Sequence, residues 1–244
     1  MPQHVAGRIP VLEALRAGKR KPRKLYLLHD AKGLDALRDA ARGVPVEAVS
    51  RDRLDDLSGG VVHQGVVLEA ESLPIYRAEP WVKRDFPSDA VVVVMDCVED
   101  PHNFGAIVRS AAACGAIGVL FARDRAAPVS PAAVKSAAGG MEHVDLVEGA
   151  NVARMLELLK EAGFWIAGFE VDAKQTLWQA DLTGRIALVI GSEGKGMRRL
   201  VSEGCDFHLR IPLPGPITAL NASVSAAVAL VECLRQREAK AKRG

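Results

Sequence analysis

Hydrophobic and polar positions divide the chain into two regions of different pattern, which meet near residue 72. Before that point, short apolar runs alternate with amphipathic segments of helical period. The pattern predicts helices at 11–18 and 33–42 and strands at 24–30, 44–49 and 65–70. Short strands and helices in this order indicate a small α/β unit.

The segment from 72 to 89 reads SLPIYRAEPWVKRDFPSD and has no hydrophobic period. It contains three prolines, which is typical of a linker or of a strap across a surface. We therefore expect one domain over 1–72, a linker over 73–88 and a second domain over 89–244.

From residue 90 onwards, runs of Val, Ile and Leu alternate with helical segments. They predict strands at 90–96, 117–122, 144–147, 164–170, 186–191 and 207–212, and helices that begin at 103, 131, 151 and about 221. Strands that are apolar throughout and separated by helices are typical of a mainly parallel sheet covered on both faces. The predicted fold class is α/β, and ligands of such sheets bind in the loops at the carboxyl ends of strands.

Composition limits the kinds of partner. The chain has 244 residues, of which 49% are hydrophobic, and this is enough to bury a core. The net charge is only +2, so any affinity for nucleic acid must come from local clusters of charge. The longest apolar run, 90–95, is too short to cross a bilayer, and no basic start followed by an apolar segment marks the N-terminus. We expect a cytoplasmic protein with no membrane partner.

The cysteines indicate reduced thiols and no metal site. Cys97, Cys114, Cys205 and Cys233 lie far apart in apolar surroundings and form no C-x-x-C pair. Zinc sites normally bring such ligands in closely spaced pairs.

The first of three unusual loops, DCVEDPHNFG, follows the strand at 90–96 and opens a helix that carries Arg109. Asn103 suits the N-cap of this helix, and a role in a binding site is an equally good interpretation. Arg109 has only small residues three and four positions away, namely Gly105, Ala106, Ala112 and Ala113. It therefore has no salt-bridge partner within its helix, which indicates either a functional cation or an ordinary solvated arginine.

The second loop, LVIGSEGKGM, spans 188–197 and contains three glycines after a strand. It is not a phosphate loop, because the spacing differs, no Ser or Thr follows Lys195, and Glu193 would repel a phosphate. The chain also has no G-x-G-x-x-G fingerprint after a strand, which counts against ordinary dinucleotide binding. The glycines favour close approach of the backbone to a ligand that tolerates a carboxylate, with a purely structural turn as the alternative.

The third loop lies within 209–237 and contains three prolines and a glycine before a helix. Asn221 or Thr218 can cap that helix. Ser223 and Ser225 favour close helix packing over catalysis, because no G-x-S-x-G motif accompanies them.

These loops resemble a known family. The segments N-x-G-A-x-x-R-S-A, I-G-S-E-G-x-G-M and I-P-x-x-G-x-x-x-x-L-N-x-S-V-S-x-A are similar in order and separation to the three motifs of the SPOUT RNA ribose 2′-O-methyltransferases, TrmH-like branch. The resemblance covers 89–238. GRIPVLEALRAG and VVHQGVVLEA, in the first region, resemble the L30e-like substrate-binding domain of the members that methylate a guanosine of large-subunit rRNA.

The resemblance implies a C-terminal SPOUT domain whose deep trefoil knot binds S-adenosylmethionine, and a homodimer with its active sites at the interface. It implies cofactor contacts at Gly191, Ile211 and Leu220, and catalytic roles for Asn103, Arg109, Glu193 and Asn221. A guanidinium is a poor base, so we expect Arg109 to stabilise a developing alkoxide or to hold the adjacent phosphate. The other three residues would orient the ribose and the loops.

The implied activity is methylation of the ribose 2′-hydroxyl of a guanosine in 23S rRNA. A tRNA ribose methyltransferase, a weakly catalytic rRNA-binding assembly factor and a nucleotide-binding regulator are the alternatives. Family members usually carry serine immediately before the L-N of the third motif, where this chain has Ala219. Thr218 or a backbone group must then replace that hydroxyl, or the reaction is slower.

A basic run, RAGKRKPRK at 16–24, provides a candidate RNA contact outside the motifs. It has six basic residues and no acid, namely Arg16, Lys19, Arg20, Lys21, Arg23 and Lys24. Such a run can neutralise successive phosphates, and a solvated turn is the alternative. Aromatic residues make up only 5% of the chain, so base stacking on an aromatic sheet is not indicated.

Overall fold

The computed structural model describes residues 3–123 and 130–242, and the chain divides into two compact units. The first comprises 1–74 together with 138–143, and the second comprises 75–137 and 144–244. Each unit has its own sheet and its own buried cluster of hydrophobic side chains.

The first unit has a four-stranded mixed sheet in the order β1-β4-β2-β3. Its elements are β1 (Gln3–Ala6), α1 (Arg8–Ala17), β2 (Pro22–Leu28), α2 (Asp35–Ala40), β3 (Val46–Val49), α3 (Arg51–Ser58) and β4 (Val66–Ala70). Strand β4 pairs antiparallel with β1 and β2, whereas β3 pairs parallel with β2. The five predicted elements are confirmed.

Two elements of this unit were not predicted, because neither has a clear hydrophobic period. Strand β1 is short and buries mainly Val5. Helix α3 has the sequence RDRLDDLS and buries Leu54 as its one large apolar residue. Its N-terminus is stabilised by the Ser50 hydroxyl, which accepts a hydrogen bond from the Arg53 amide at 3.3 Å.

The second unit contains an eight-stranded sheet in the order β10-β12-β9-β11-β6-β7-β8-β5, and every neighbouring pair is parallel. Its strands are β5 (Ile75–Arg77), β6 (Val91–Met95), β7 (Gly118–Ala122), β8 (Asp145–Gly149), β9 (Trp165–Phe169), β10 (Gln175–Thr176), β11 (Ile186–Ile190) and β12 (Phe207–Arg210). Its helices are α4 (Ala78–Trp81), α5 (Pro101–Ala113), α6 (Pro131–Ala137), α7 (Val152–Glu161), α8 (Arg199–Glu203) and α9 (Ala222–Ala241). The predicted α/β class and its parallel sheet are confirmed. The trefoil knot stays a prediction.

The central strands explain why the sequence pattern was clear here. Every residue of β6, β7 and β11 is buried, as expected for strands covered on both faces. Because β6, β11, β9 and β12 are consecutive neighbours and parallel, the loops after these four strands leave the same edge of the sheet.

The segment 72–89, which the sequence predicts as a linker, contains a strand and a helix. Strand β5 pairs with β8, and Trp81 in α4 is only 2% exposed. The Trp81 Nε1 and Arg84 guanidinium both donate hydrogen bonds to Asp145 Oδ2, each at 2.9 Å. Elements of three and four residues are too short to show a period in the sequence. The domain boundaries given above stay a prediction.

Candidate active site

A cleft of about 190 Å³ lies at the carboxyl ends of β9, β11 and β12. Three short segments line it: 169–171, 190–196 and parts of 209–225. The proposed cofactor residues Gly191, Ile211 and Leu220 are all in its lining, as are Thr218 and Ala219. The second and third motif segments therefore meet at one cavity.

The glycine-rich loop after β11 folds back tightly on itself. The amides of Ser192 and Gly196 each donate to the other's carbonyl oxygen, at 3.1 and 3.0 Å. A Cβ on Gly191 would lie 2.4 Å from the Gly196 carbonyl carbon, a distance that side chains do not tolerate. The glycines of this loop predict close approach of its backbone to a ligand, whereas at Gly191 the close approach is to the loop's own backbone.

Three side chains from the three motifs form a hydrogen-bonded cluster, which we call the amide–carboxylate cluster. Asn103 Nδ2 donates to Glu193 Oε1 at 2.8 Å, and Asn221 Nδ2 donates to Asn103 Oδ1 at 3.0 Å. Asn221 Nδ2 also donates to Glu193 Oε1. One carboxylate oxygen thus accepts from two amides, and this arrangement fixes all three side chains.

Helix capping explains how two of these side chains are held. The Asn221 Oδ1 accepts from the Ser223 and Val224 amides, at 2.9 and 3.4 Å, which confirms the predicted N-cap of α9. The capping interpretation of Asn103 is wrong, because α5 begins two residues earlier and its cap is Asp100, which accepts from the His102 amide at 3.0 Å. Asn103 lies within the helix, and its amide is available for the cluster.

The charges of the cleft indicate which ligands it can hold. Among the described residues that line it, the only charged side chains are the carboxylates of Glu170 and Glu193. Most of the remaining lining is backbone and apolar side chain, including Phe169, Ile211 and Leu213. Such a cleft fits a ligand with an apolar body and positive charge, and it disfavours a phosphate.

The structure does not bring Arg109 into the amide–carboxylate cluster. Its side chain is exposed on α5, does not line the cleft, and makes no hydrogen bond or ion pair with any residue of the described ranges. The buried face of α5 carries Phe104, Ile107 and Val108.

Comparisons with known proteins decide the family. The model of the SpoU rRNA methylase family matches residues 90–231, and the model for RNA 2′-O ribose methyltransferase substrate binding matches residues 4–76. This chain belongs to the SpoU rRNA methylase family.

Relatives and solved structures of SpoU methylases match over nearly the whole chain. The 23S rRNA (guanosine-2′-O-)-methyltransferase RlmB of Pseudomonas putida is 39% identical over 229 residues, which covers 93% of this chain and 88% of the relative. The protein of the same name from Escherichia coli K12 is 37% identical over 226 residues, covering 90% and 88%. The SpoU methyltransferase AviRb from Streptomyces viridochromogenes has a TM-score of 0.82 at 26% identity, covering 98% and 91%. AviRb in complex with the cofactor AdoMet has a TM-score of 0.79 at 27% identity, covering 96% and 90%.

One feature of this SpoU methylase that the sequence analysis missed is an ion pair that anchors the glycine-rich loop. Asp96, at the end of β6, is fully buried and accepts hydrogen bonds from the Arg198 amide at 2.8 Å and from its Nε at 2.7 Å. The hydrogen bond that the Arg198 guanidinium donates to Asp96 raises the pKa of that guanidinium above its ordinary value. The available signal was a carboxylate directly after the apolar run VVVVM.

The basic segment at 16–24 of this SpoU methylase is largely ion-paired. Arg16 lies 3.5 Å from Glu13 and Arg23 lies 3.6 Å from Glu71, while Lys24 pairs with Glu47. Hydrogen bonding to Glu47 raises the pKa of Lys24. Lys21 is exposed, and Lys19 is partly buried.

Arg20 is among the predicted RNA contacts, but its side chain is buried. It is only 6% exposed and forms a bidentate ion pair with Glu142, which is 5% exposed. A buried guanidinium with a carboxylate partner has a structural role, and it is not presented to an RNA phosphate.

The four cysteines are free thiols, and burial affects two of them. Burial raises the pKa of Cys205 and of Cys233 to about 12 in each case. Residues 3–123 and 130–242 contain no group of three or more His, Cys, Asp or Glu side chains arranged to hold a metal ion. Over the same ranges, no helix combines the length and apolar character needed to cross a membrane.

Proposed function

We propose that the protein transfers the methyl group of S-adenosylmethionine to the ribose 2′-hydroxyl of a guanosine in 23S rRNA. The observation that carries the proposal is the amide–carboxylate cluster, which is assembled from all three motifs beside a cleft whose charged lining is carboxylate. The names of the RlmB relatives support the choice of reaction and substrate.

The cleft fits this cofactor. When bound, S-adenosylmethionine supplies an electrophilic methyl group on a cationic sulfonium. A negatively charged cleft favours that cation, and we assign its contacts to the lining around Gly191, Ile211 and Leu220. The rigid return of the glycine-rich loop keeps the backbone of the cleft in place before the ligand arrives.

The amide–carboxylate cluster orients the acceptor ribose in this proposal. Glu193 Oε1 is occupied by two amide donors, so the carboxylate cannot rotate freely. Asn221 is itself fixed by the first turn of α9. Alignment of the attacking oxygen with the methyl group provides a large part of the rate acceleration in such transfers.

Arg109 does not line the cleft of its own chain, and we propose a homodimer in which it lies at the partner's cleft. Helix α9 packs against α5 and exposes Val224, Val231 and Leu234, which are 46%, 56% and 38% exposed. Their spacing of seven and three residues places them on one face of the helix, which suits an interface between two copies. At the partner's cleft, Arg109 would stabilise the developing alkoxide or hold the adjacent phosphate.

The match over the full chain favours rRNA over tRNA as the substrate. The A. aeolicus TrmH/SpoU tRNA-modifying enzyme covers only 67% of this chain, with a TM-score of 0.57. Residues 4–76 match a substrate-binding family, and the exposed part of the basic segment lies there. We assign the first unit to recognition of rRNA, in the cytoplasm.

The weakly catalytic alternative depends on Ala219. Thr218 and Ala219 both line the cleft, so a hydroxyl is present one residue away from the usual serine position. We propose that Thr218 takes the place of that serine and that the protein is a working enzyme.

The test is transfer of radiolabelled methyl from S-adenosylmethionine to large-subunit rRNA and, separately, to bulk tRNA. We expect label in rRNA alone, at a ribose 2′-oxygen, and strong loss of label with Arg109→Ala. Arg154→Ala, at an exposed arginine of α7 in the second unit, is the matched control. Labelling of tRNA would replace the substrate assignment, and cofactor binding without labelling of either RNA would favour the assembly factor.

Sedimentation of the Val231→Glu variant tests the proposed dimer. We expect the introduced charge to dissociate the dimer into monomers.

A further inference from the structure

A second polar cluster, formed by three side chains, lies beside the cleft. It consists of Glu170, which follows β9, Ser202 in α8 and His208 in β12. Glu170 also lines the cleft. None of these three residues lies within the three motif segments defined above.

The hydrogen bonds of this cluster have a single consistent direction. The Ser202 hydroxyl donates to Glu170 Oε1 at 2.7 Å. Since a hydroxyl has only one proton, its contact with His208 Nε2 at 3.0 Å requires that the imidazole nitrogen donates. The same nitrogen lies 3.2 Å from the Ser202 carbonyl oxygen, an acceptor, which agrees with a proton on Nε2.

This direction excludes a nucleophilic serine. In a hydrolytic triad the histidine accepts the serine proton, and the acid binds the other side of the imidazole. Here the histidine donates to the serine, and the serine donates to the acid. The chain of hydrogen bonds therefore ends on the carboxylate and fixes its orientation.

The main chain of Glu170 is fixed as well. Its amide donates to the Leu209 carbonyl oxygen at 3.0 Å, which holds it to β12 at the edge of the cleft. Its side chain is 30% exposed, and Oε2 makes no hydrogen bond with any residue of the described ranges. A carboxylate held by one oxygen beside a cavity presents its other oxygen as an acceptor for a ligand.

We propose that Glu170 binds a hydrogen-bond-donating group of the cofactor and that Ser202 and His208 are positioning residues for it. This rests on the proposed function, because it takes S-adenosylmethionine as the ligand of the cleft. The donors of that molecule are the ammonium of its amino-acid part, the ribose hydroxyls and the adenine amine. Hydrogen bonds to an ionised carboxylate are among the stronger ones in proteins.

Calorimetric titration of the full chain with S-adenosylmethionine, S-adenosylhomocysteine and 5′-methylthioadenosine tests the proposal. We expect Glu170→Gln to raise the Kd for S-adenosylmethionine about tenfold, the factor that corresponds to about 1.4 kcal/mol. An increase with S-adenosylhomocysteine but not with 5′-methylthioadenosine assigns the contact to the ammonium. An equal increase with both assigns it to the ribose or the adenine. Glu203→Gln, at an exposed carboxylate of α8 that pairs with Arg199, is the control and should leave Kd unchanged.

Ser202 variants separate positioning from a structural effect. Ser202→Ala should raise the Kd about threefold with kcat at saturating cofactor unchanged, and Ser202→Thr, which keeps the hydroxyl, should restore the Kd. Unchanged cofactor affinity in folded Glu170→Gln, with Glu170→Ala as a second variant, would overturn the proposal. If the unsubstituted chain binds no S-adenosylmethionine, the proposed function fails first and this inference fails with it.

Discussion

The sequence predicts functional roles for the residues of the amide–carboxylate cluster and for the basic segment at 16–24. The folded chain brings the first set of side chains into contact with one another, whereas it pairs most of the second set with acids. Asn103 lies 90 positions from Glu193 and 118 from Asn221, yet these side chains are in hydrogen-bond contact. The basic segment is continuous in sequence, yet at least four of its six charges pair with acids of the first unit that lie outside the segment. Proximity in sequence was therefore the poorer guide to a common site.

The difference has a physical reason. Residues that follow parallel strands are brought to one edge by the sheet, so motifs after β6 and β11 must come close to one another. A run of charge contains no information about acids that fold onto it. Glu47, Glu71 and Glu142 lie far from their partners in sequence, and their arrangement depends on the tertiary structure, whereas Glu13 pairs with Arg16 within helix α1.

The largest expected effect concerns Arg20. We expect Arg20→Ala to lower the free energy of unfolding by about 3 kcal/mol, because it leaves the Glu142 carboxylate buried without its partner. Urea denaturation measures this, with Arg16→Ala as the control, since the Arg16 side chain is 58% exposed and 3.5 Å from Glu13. The control should change stability by less than about 1 kcal/mol. Equal stability of both variants would mean that the ion pair of Arg20 has no structural role, and it would restore the prediction that Arg20 contacts RNA.

The next largest effect tests the amide–carboxylate cluster. Glu193→Ala removes the acceptor of both asparagine amides, and we expect methyl transfer to fall about 100-fold, the range seen when a positioned polar group is removed from an active site. Because Glu193 is exposed, the unfolding free energy should change little. Lys195→Ala, in the same loop, is the control for activity. Unchanged transfer in Glu193→Ala would mean that the cluster only shapes the loop.

The sequence predicted most of the second unit because its central strands are buried on both faces. It predicted β6, β7 and β11 from continuous apolar runs. It missed β5 and α4, which are too short for a period, and it missed contacts such as Asp96 with Arg198. Those contacts join residues 102 positions apart that carry no shared pattern.

Two substitutions at the start of helix α5 should have opposite effects, one on the free energy of unfolding and the other on methyl transfer. Asp100→Ala removes the N-cap and should lower the unfolding free energy by about 1 kcal/mol, with little change in methyl transfer. Asn103→Ala should do the reverse, because its amide donates to Glu193 and caps nothing. Urea denaturation and the methyl-transfer assay on both variants measure this. Loss of stability in Asn103→Ala comparable with that in Asp100→Ala would restore the capping interpretation.

The smallest expected effect asks how much of the basic segment still reaches RNA. Glu71→Gln removes the acid 3.6 Å from Arg23, and since both side chains are about half exposed, the released arginine should bind a fragment of large-subunit rRNA about twofold more tightly at low salt. Lys21→Ala removes an exposed cation and should weaken binding by a similar factor. It should also reduce the slope of log K against log salt by about one.

These two substitutions distinguish the net charge of the segment from its count of basic residues. If paired bases contributed as fully as free ones, Glu71→Gln would leave the affinity unchanged. If the segment were only a solvated turn, neither substitution would alter the affinity or the salt slope. Opposite shifts in the two variants, measured by fluorescence anisotropy at two salt concentrations, would mean that RNA responds to the charge left after tertiary pairing, which the sequence alone does not contain.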